Sequence, residues 1–326
     1  MEISGGLIIS GGSSIVGPGG SGGGGGSPDP SPSGVSNFGY ISGGSIPSSL
    51  LNVIEKFSFS SDGNASDVGD LTEARDGASG QSSTASGYTS GGYNNSFTNT
   101  IDKFPFSSDG NATDVGDLTV ARATGLAGGS SSTSGYAAGG RANPGGIQNV
   151  IDKFLFASDG NASDVGDLAT GVQDTTGQSS SDSGYVSAGE ASPGNVNSIQ
   201  KYSFASDGNA SDVGDNTANR NSIAGQSSSS HGYTSGGFIA PSNFRVDIID
   251  KFPFASDGNA TDVGDLSLGR RQLTGTSSSA SGYNAGGNRE PGDSNVIDKF
   301  SFSSDANATD VGDLTQAKFK SAGSQY

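Results

Sequence analysis

The sequence predicts an all-β fold: a six-bladed β-propeller closed by its own C-terminal strand, with a glycine-rich N-terminal extension. Three observations predict it. The string SDGNATDVGDL recurs with few changes from Ser61, Ser108, Ser158, Ser206, Ser256 and Ser304. A Gly-Tyr marker followed by a small pair, mostly Gly-Gly, begins at Gly39, Gly87, Gly135, Gly184, Gly232 and Gly282, in steps of 48, 48, 49, 48 and 50 residues. A copied unit of roughly 40–50 residues is the period of propeller blades. The chain ends also complement each other. The first copy lacks the segment that leads each later copy, and Gln316–Tyr326 supplies it after the last. A C-terminal strand that completes the first blade would remove exposed sheet edges.

The elements follow in order. Residues 1–34 read as an anchor and linker: Ile3, Leu7, Ile8, Ile9 and Ile15 form a small apolar segment, and Gly19–Gly34 is a Gly/Pro/Ser-rich tether. Residues 35–326 form the repeat domain. Its second copy serves as template. Ser134–Gly140 (SGYAAGG) is a strand ending in two glycines, which permit positive φ or close backbone approach. A variable loop follows. Val150–Phe156 (VIDKFLF) then alternates with period two, Ile151, Lys153 and Leu155 on one face and Val150, Asp152, Phe154 and Phe156 on the other. SDGNA is a hairpin loop of turn formers and DVGDL a short strand. A fourth strand fits the stretch from Arg75, Arg122, Arg220 or Arg270 to the GQSSS run. Four strands per unit make one blade.

Composition alone points elsewhere. Hydrophobic residues are 30% and glycines number 56 of 326, values that usually leave too little apolar surface to offset ordering entropy. The repeat overrides this, because the apolar residues fall at the same position in every copy. The net charge of −17 gives no electrostatic reason to bind nucleic acid and opposes anionic membrane surfaces. No apolar stretch approaches about 20 residues, so membrane insertion is not expected. There are no cysteines. The first residues, with Glu2 in place of a basic region, make a poor secretory signal.

From Asn37 to Tyr326 the chain resembles the kelch-type repeat. The double glycines Gly43–Gly44, Gly91–Gly92, Gly139–Gly140, Gly236–Gly237 and Gly286–Gly287 carry the resemblance, with the tyrosines Tyr40, Tyr88, Tyr136, Tyr233 and Tyr283 before them. The fourth copy departs, with Ala188–Gly189, and the tryptophan of the family's last strand is absent. Phe59, Phe106, Phe156, Phe204, Phe254 and Phe302 are expected to fill that volume. The wording SDGNATDVGDL with GQSSS before Gly-Tyr is also similar to kelch-like proteins of marine tailed phages, notably those of cyanobacteria. That resemblance implies a virion protein of the tail or another appendage.

Candidate chemistry is sparse. Asp109, Asn111 and Asp114 space oxygens as a calcium loop would, but the preferred reading is a hairpin loop whose side chains cap backbone groups. No other cofactor and no catalytic residue is expected. His231, the one histidine, lies where other copies have serine. The six loops after the Gly-Gly positions differ in length and sequence while the frame repeats, and variable loops on a rigid frame are where recognition resides. Tyr93, Phe97, Arg141, Phe238, Phe244, Arg245 and Arg289 are their contact groups. The resulting expectation is a non-enzymatic phage virion protein. It would attach to other virion proteins through residues 1–34 and meet host-surface glycan or protein with its loops. A purely structural virion subunit and a secreted carbohydrate-active hydrolase are the alternatives.

Overall fold

In a computed structural model, residues 37–240 and 244–325 are described; the expected anchor and linker, residues 1–34, lie outside them. Among the described residues the chain is all-β, with no helix. Its main elements are six four-stranded antiparallel sheets. The first sheet joins Ala322–Gln325, Phe38–Ser42, Val53–Ser58 and Ser66–Asp70. The second joins Ser79–Ser82, Ser86–Ser90, Thr100–Pro105 and Thr113–Asp117, and four more follow the same plan. In sheets two to six the strands succeed one another along the chain. In sheet one the leading strand comes from the far end: Gly39 pairs with Gln325 and Ser42 with Ala322. The expected Gly-Tyr, alternating and DVGD strands all form. The leading strand is shorter than expected, because the arginines precede it in the crossing from one sheet to the next.

Successive leading strands lie against one another, and that of the sixth sheet lies against that of the first. Small residues make this approach possible. A Cβ on Gly80 would stand 2.0 Å from the carbonyl oxygen of Gly323, and one on Gly128 2.2 Å from that of Gly80. Gly177, Gly225, Gly275 and Gly323 meet their predecessors in the same way. The neighbouring serines add bonds: the Ser82 amide donates to Ser130 Oγ and the Ser130 amide to Ser179 Oγ, both at 3.0 Å.

Both faces of each sheet are covered by its neighbours, so alternation along the third strand does not separate inside from outside. Ile151 and Asp152 point to opposite faces and both are fully buried. A register shift between them, repeated in all six sheets, accommodates the change. The six equivalent isoleucines are inaccessible, each contributing about 1.5–3 kcal/mol by burial. The phenylalanines just past the third strands pack on the tyrosine of the preceding sheet: Phe106 on Tyr40 (tilted), Phe156 on Tyr88 and, between sheets one and six, Phe59 on Tyr283 (both stacked), with ring centroids 4.8, 5.0 and 4.5 Å apart.

Each crossing is clamped onto the third strand of the sheet it enters. Asp102 accepts from the Thr72 amide (3.0 Å) and hydroxyl (2.7 Å) and pairs with Arg75 (3.1 Å). Arg122–Asp152, Arg220–Asp250 and Arg270–Asp298 repeat the pair, every partner fully buried. Desolvation pulls these guanidinium groups below their usual range and the facing carboxylates oppose it. At the crossing between sheets six and one, Lys318 and Glu55 take the roles. At sheet four both charges are gone: Val172 stands for arginine, and Gln200 bonds the Thr170 amide and carbonyl at 2.9 and 3.0 Å.

Candidate binding face

The antiparallel order sends the loops between second and third strands, and the crossings between sheets, to one end of the molecule. The Ser-rich turns and the SDGNA loops go to the other. At the SDGNA end every copy makes the same contacts. Lys56 donates to Asp109 Oδ1 of the next sheet at 2.9 Å. The Asp70 amide donates to Asn111 Oδ1 at 3.0 Å, and the Ala112 amide to the Asp70 carbonyl at 2.8 Å. Asp114 Oδ1 accepts from the Gly116 amide at 3.1 Å. The three calcium candidates thus each have a protein partner. Among the described residues no three His, Cys, Asp or Glu side chains converge as a metal set.

The other end is different in each copy. After the Gly-Gly positions, where Gly43 and Gly44 have φ of 62° and 103°, the chain forms a short hairpin. Ala188 takes the first of these positions in sheet four at φ 52°, a left-handed conformation that costs a β-carbon-bearing residue about 1–2 kcal/mol. The hairpins include Ser45–Ile46 with Ser49–Leu50, Arg141–Ala142 with Gly146–Ile147, and Phe238–Ile239 with Phe244–Arg245. Each hairpin bridges to a crossing: Ser45 to Phe319, Asp76 to Tyr93, Ala123 to Arg141, Gln173 to Glu190, Asn221 to Phe238 and Arg271 to Asn288.

Inside the hairpins the crossings bond to one another in a circuit. The Gly77 amide donates to the Lys320 carbonyl (2.9 Å), Gly125 to Gly77 (3.2 Å) and Asp174 to Thr124 (2.8 Å). Ser222 donates to Asp174 (2.7 Å), Gln272 to Ser222 (2.7 Å) and Lys320 to Gln272 (2.9 Å). Gly77, Thr124, Gly125, Asp174, Ser222, Gln272 and Lys320 all have left-handed φ between 49° and 68°. Beneath the circuit a cavity of about 500 Å³ runs along the leading strands, lined mostly by Ser, Gly, Thr and Gln, with Leu126, Ile223 and Leu273 among them. The GQSSS runs, which look like low-complexity filler in the sequence, supply its hydroxyls. Desolvation raises Asp174 from 3.8 to about 6, with Lys320 and Arg271 opposing and Glu190 and Asp76 adding.

The expected contact residues fall into three places. Tyr93 and Phe97 form an edge-to-face pair, centroids 5.9 Å apart, on the hairpin of sheet two. Arg141 is exposed on the hairpin of sheet three. Phe238, Phe244, Arg245 and Arg289 belong to the neighbouring hairpins of sheets five and six. There Phe238 pairs with Arg245, which donates to Asn288 Oδ1 at 2.8 Å and meets Glu290 at 3.0 Å. Sequence reasoning missed Arg271. Its guanidinium lies over the Phe238 ring, 4.9 Å from the centroid. A signal existed: the position after each clamp residue reads Asp76, Ala123, Gln173, Asn221, Arg271 and Phe319, so it varies as the hairpins do. His231 lies at the opposite end, beside Ser230, with Nδ1 2.8 Å from Oγ; burial, then Lys251, lowers its pKa.

No protein-family model matches the chain, and neither does any curated protein.

Proposed function

We propose that this chain is a kelch-like, six-bladed β-propeller serving as a non-enzymatic recognition module of a phage virion, on the tail or another appendage. The propeller reading is supported by the order of contacts. Each sheet packs on the next and the sixth on the first. The stacks, clamps and loop bonds recur across that last junction as Tyr283–Phe59, Lys318–Glu55, Lys299–Asp62 and the bond from the Asp313 amide to Asn64. The phage reading rests on the resemblance of the repeat wording. Attachment to other virion proteins is assigned to residues 1–34.

One observation carries the recognition role: six hairpins of unlike sequence stand at the same end of a frame whose contacts at the other end are the same in every copy. A frame that repeats its bonds so closely fixes the position of whatever it displays, and variable loops on such a frame are suited to binding. Immunogold labelling of particles made from the genome that encodes the chain tests the assignment. Label at distal tail or fibre tips is expected. Label over the capsid or mid-tail would replace it with the structural-subunit reading, and unlabelled particles would overturn the virion reading itself.

A further inference from the structure

The sixteen basic residues sort into three groups. Six lysines pair with the SDGNA-loop aspartates of the next sheet. Four arginines and Lys318 are the buried clamps. The remaining five are Arg141, Arg245, Arg271, Arg289 and Lys320, and all five stand at the hairpin end. In a chain of net charge −17, every basic group not used by the repeat is therefore concentrated at the one end that varies. Three of the five, Arg245, Arg271 and Arg289, belong to two adjacent hairpins and the crossing between them.

The same place carries the most exposed aromatic ring among the described residues. Phe244 is 67% exposed and Leu268, on the crossing below, 42%. The two segments touch, since a Cβ on Gly269 would stand 2.7 Å from the Arg245 carbonyl oxygen. Arg271 sits over the Phe238 ring, and its Nε has no protein partner. Arg245 already meets one carboxylate, that of Glu290, whose side chain is 76% exposed. The pair is open on its Glu290 side only, the Arg245 side chain being 16% exposed, so it is the carboxylate partner that can be exchanged for another. Of the other acids here, Asp293 accepts from Asn288 at 2.8 Å, and Asp247 follows two residues after Arg245. Guanidinium groups recognise carboxylates in a planar, bidentate manner.

We infer that this Phe244–Arg245–Arg271–Arg289 patch binds an acidic polysaccharide, with a sugar ring on Phe244 and uronate carboxylates on the arginines. The inference rests on the recognition reading above and names its ligand class. A single exposed ring beside fixed cations suits a pyranose with a carboxylate better than a peptide, which would need a groove for apolar side chains.

The test is calorimetric titration of the full chain with a hexameric uronate, an alginate oligosaccharide, against the neutral hexamer of glucose. The uronate is expected to bind, with affinity falling as salt rises. The neutral hexamer and the variants Phe244→Ala and Arg289→Gln are each expected to bind about tenfold more weakly or worse. Lys103→Gln, at the opposite SDGNA end, changes the charge equally and is expected to bind as the parent does. Unchanged melting of the variants checks that the fold is intact. Absence of uronate binding at millimolar concentration, equal binding of the neutral hexamer, or binding indifferent to Phe244 and Arg289 would overturn the inference. Particles labelled at their tips by a chain that ignores uronate would remove this inference and leave the recognition role. Uronate binding by a chain located on the capsid would do the reverse.

Discussion

The two ends of the molecule use the same strands for opposite purposes. At the SDGNA end, six copies of one loop make the same lysine pair, the same asparagine bond and the same alanine amide bond to the next sheet. At the hairpin end no two copies agree, yet the clamps just beneath are uniform in role. The clamps also show what is free to change. Arg–Asp occurs four times, Lys–Glu once and Val–Gln once. Lys318–Glu55 trades a long base and short acid for a shorter base and longer acid, and Val172–Gln200 removes both charges together. What is kept is complementarity inside a buried site, as expected where an uncompensated charge costs far more than the pair itself contributes.

The largest expected effect comes from breaking that complementarity. Asp102→Ala leaves Arg75 fully buried without its counter-charge, and should lower stability to urea by about 3–5 kcal/mol. The double change Arg75→Val with Asp102→Gln copies the clamp of sheet four. It should lie within about 1 kcal/mol of the parent, because buried ion pairs are often replaceable by matched neutral groups. A double variant as unstable as the single one would mean that Val172–Gln200 works only among its own neighbours.

A second effect separates the hairpin end from the frame by pH. Asp174 sits in the left-handed circuit, facing Lys320, Arg271, Glu190 and Asp76, and burial raises it to about 6 from 3.8. A carboxyl raised in the folded state contributes stability below its unfolded pKa and loses it as pH rises through the folded value. Near neutrality the ionised group therefore destabilises. Asn accepts the left-handed backbone, so Asp174→Asn should stabilise at pH 7.5 by about 1–2 kcal/mol after allowing for partial solvent contact. The gain should fade below pH 6 and be gone near pH 4. Thermal melting at both pH values measures it. A gain of equal size at pH 4 would assign the effect to something other than ionisation.

The repeat, the strand order within each unit and the C-terminal origin of the leading strand of sheet one were legible because each rests on periodicity, which survives any change at single positions. The inward role of Phe59, Phe106 and their equivalents was legible for the same reason. The burial of Asp102 and Asp152 was not, since alternation assigns residues to faces but does not reveal that both faces are covered. Nor was the circuit of left-handed residues. Asp174, Ser222, Gln272 and Lys320 carry no glycine signal, and only the bonds between distant crossings hold them there. Of the binding face, Phe238, Phe244, Arg245 and Arg289 could be picked out as unlike their counterparts. Their grouping apart from Tyr93 and Arg141, and the part of Arg271, depend on which hairpins lie side by side.

At the SDGNA end, Asn111→Ala removes the acceptor for the Asp70 amide and should cost about 0.5–1.5 kcal/mol, measured by urea denaturation. The smallest effect is expected from the contact that looks most prominent in the sequence, the lysine that recurs in every third strand. Lys103 meets Asp159 at 2.9 Å, but their side chains are 29% and 56% exposed, where water and salt compete with the pair. Lys103→Met should therefore change stability by no more than about 0.5 kcal/mol, and that difference should vanish in about 1 M salt. Arg75 and Lys103 serve the same sheet, one pairing within it and the other with its neighbour, and differ in burial alone by this reckoning. A cost above about 1 kcal/mol for Lys103→Met would show that the six exposed pairs act together, each fixing the loop that positions the next, and that the SDGNA end derives its uniformity from coupling between sheets as well as from repetition.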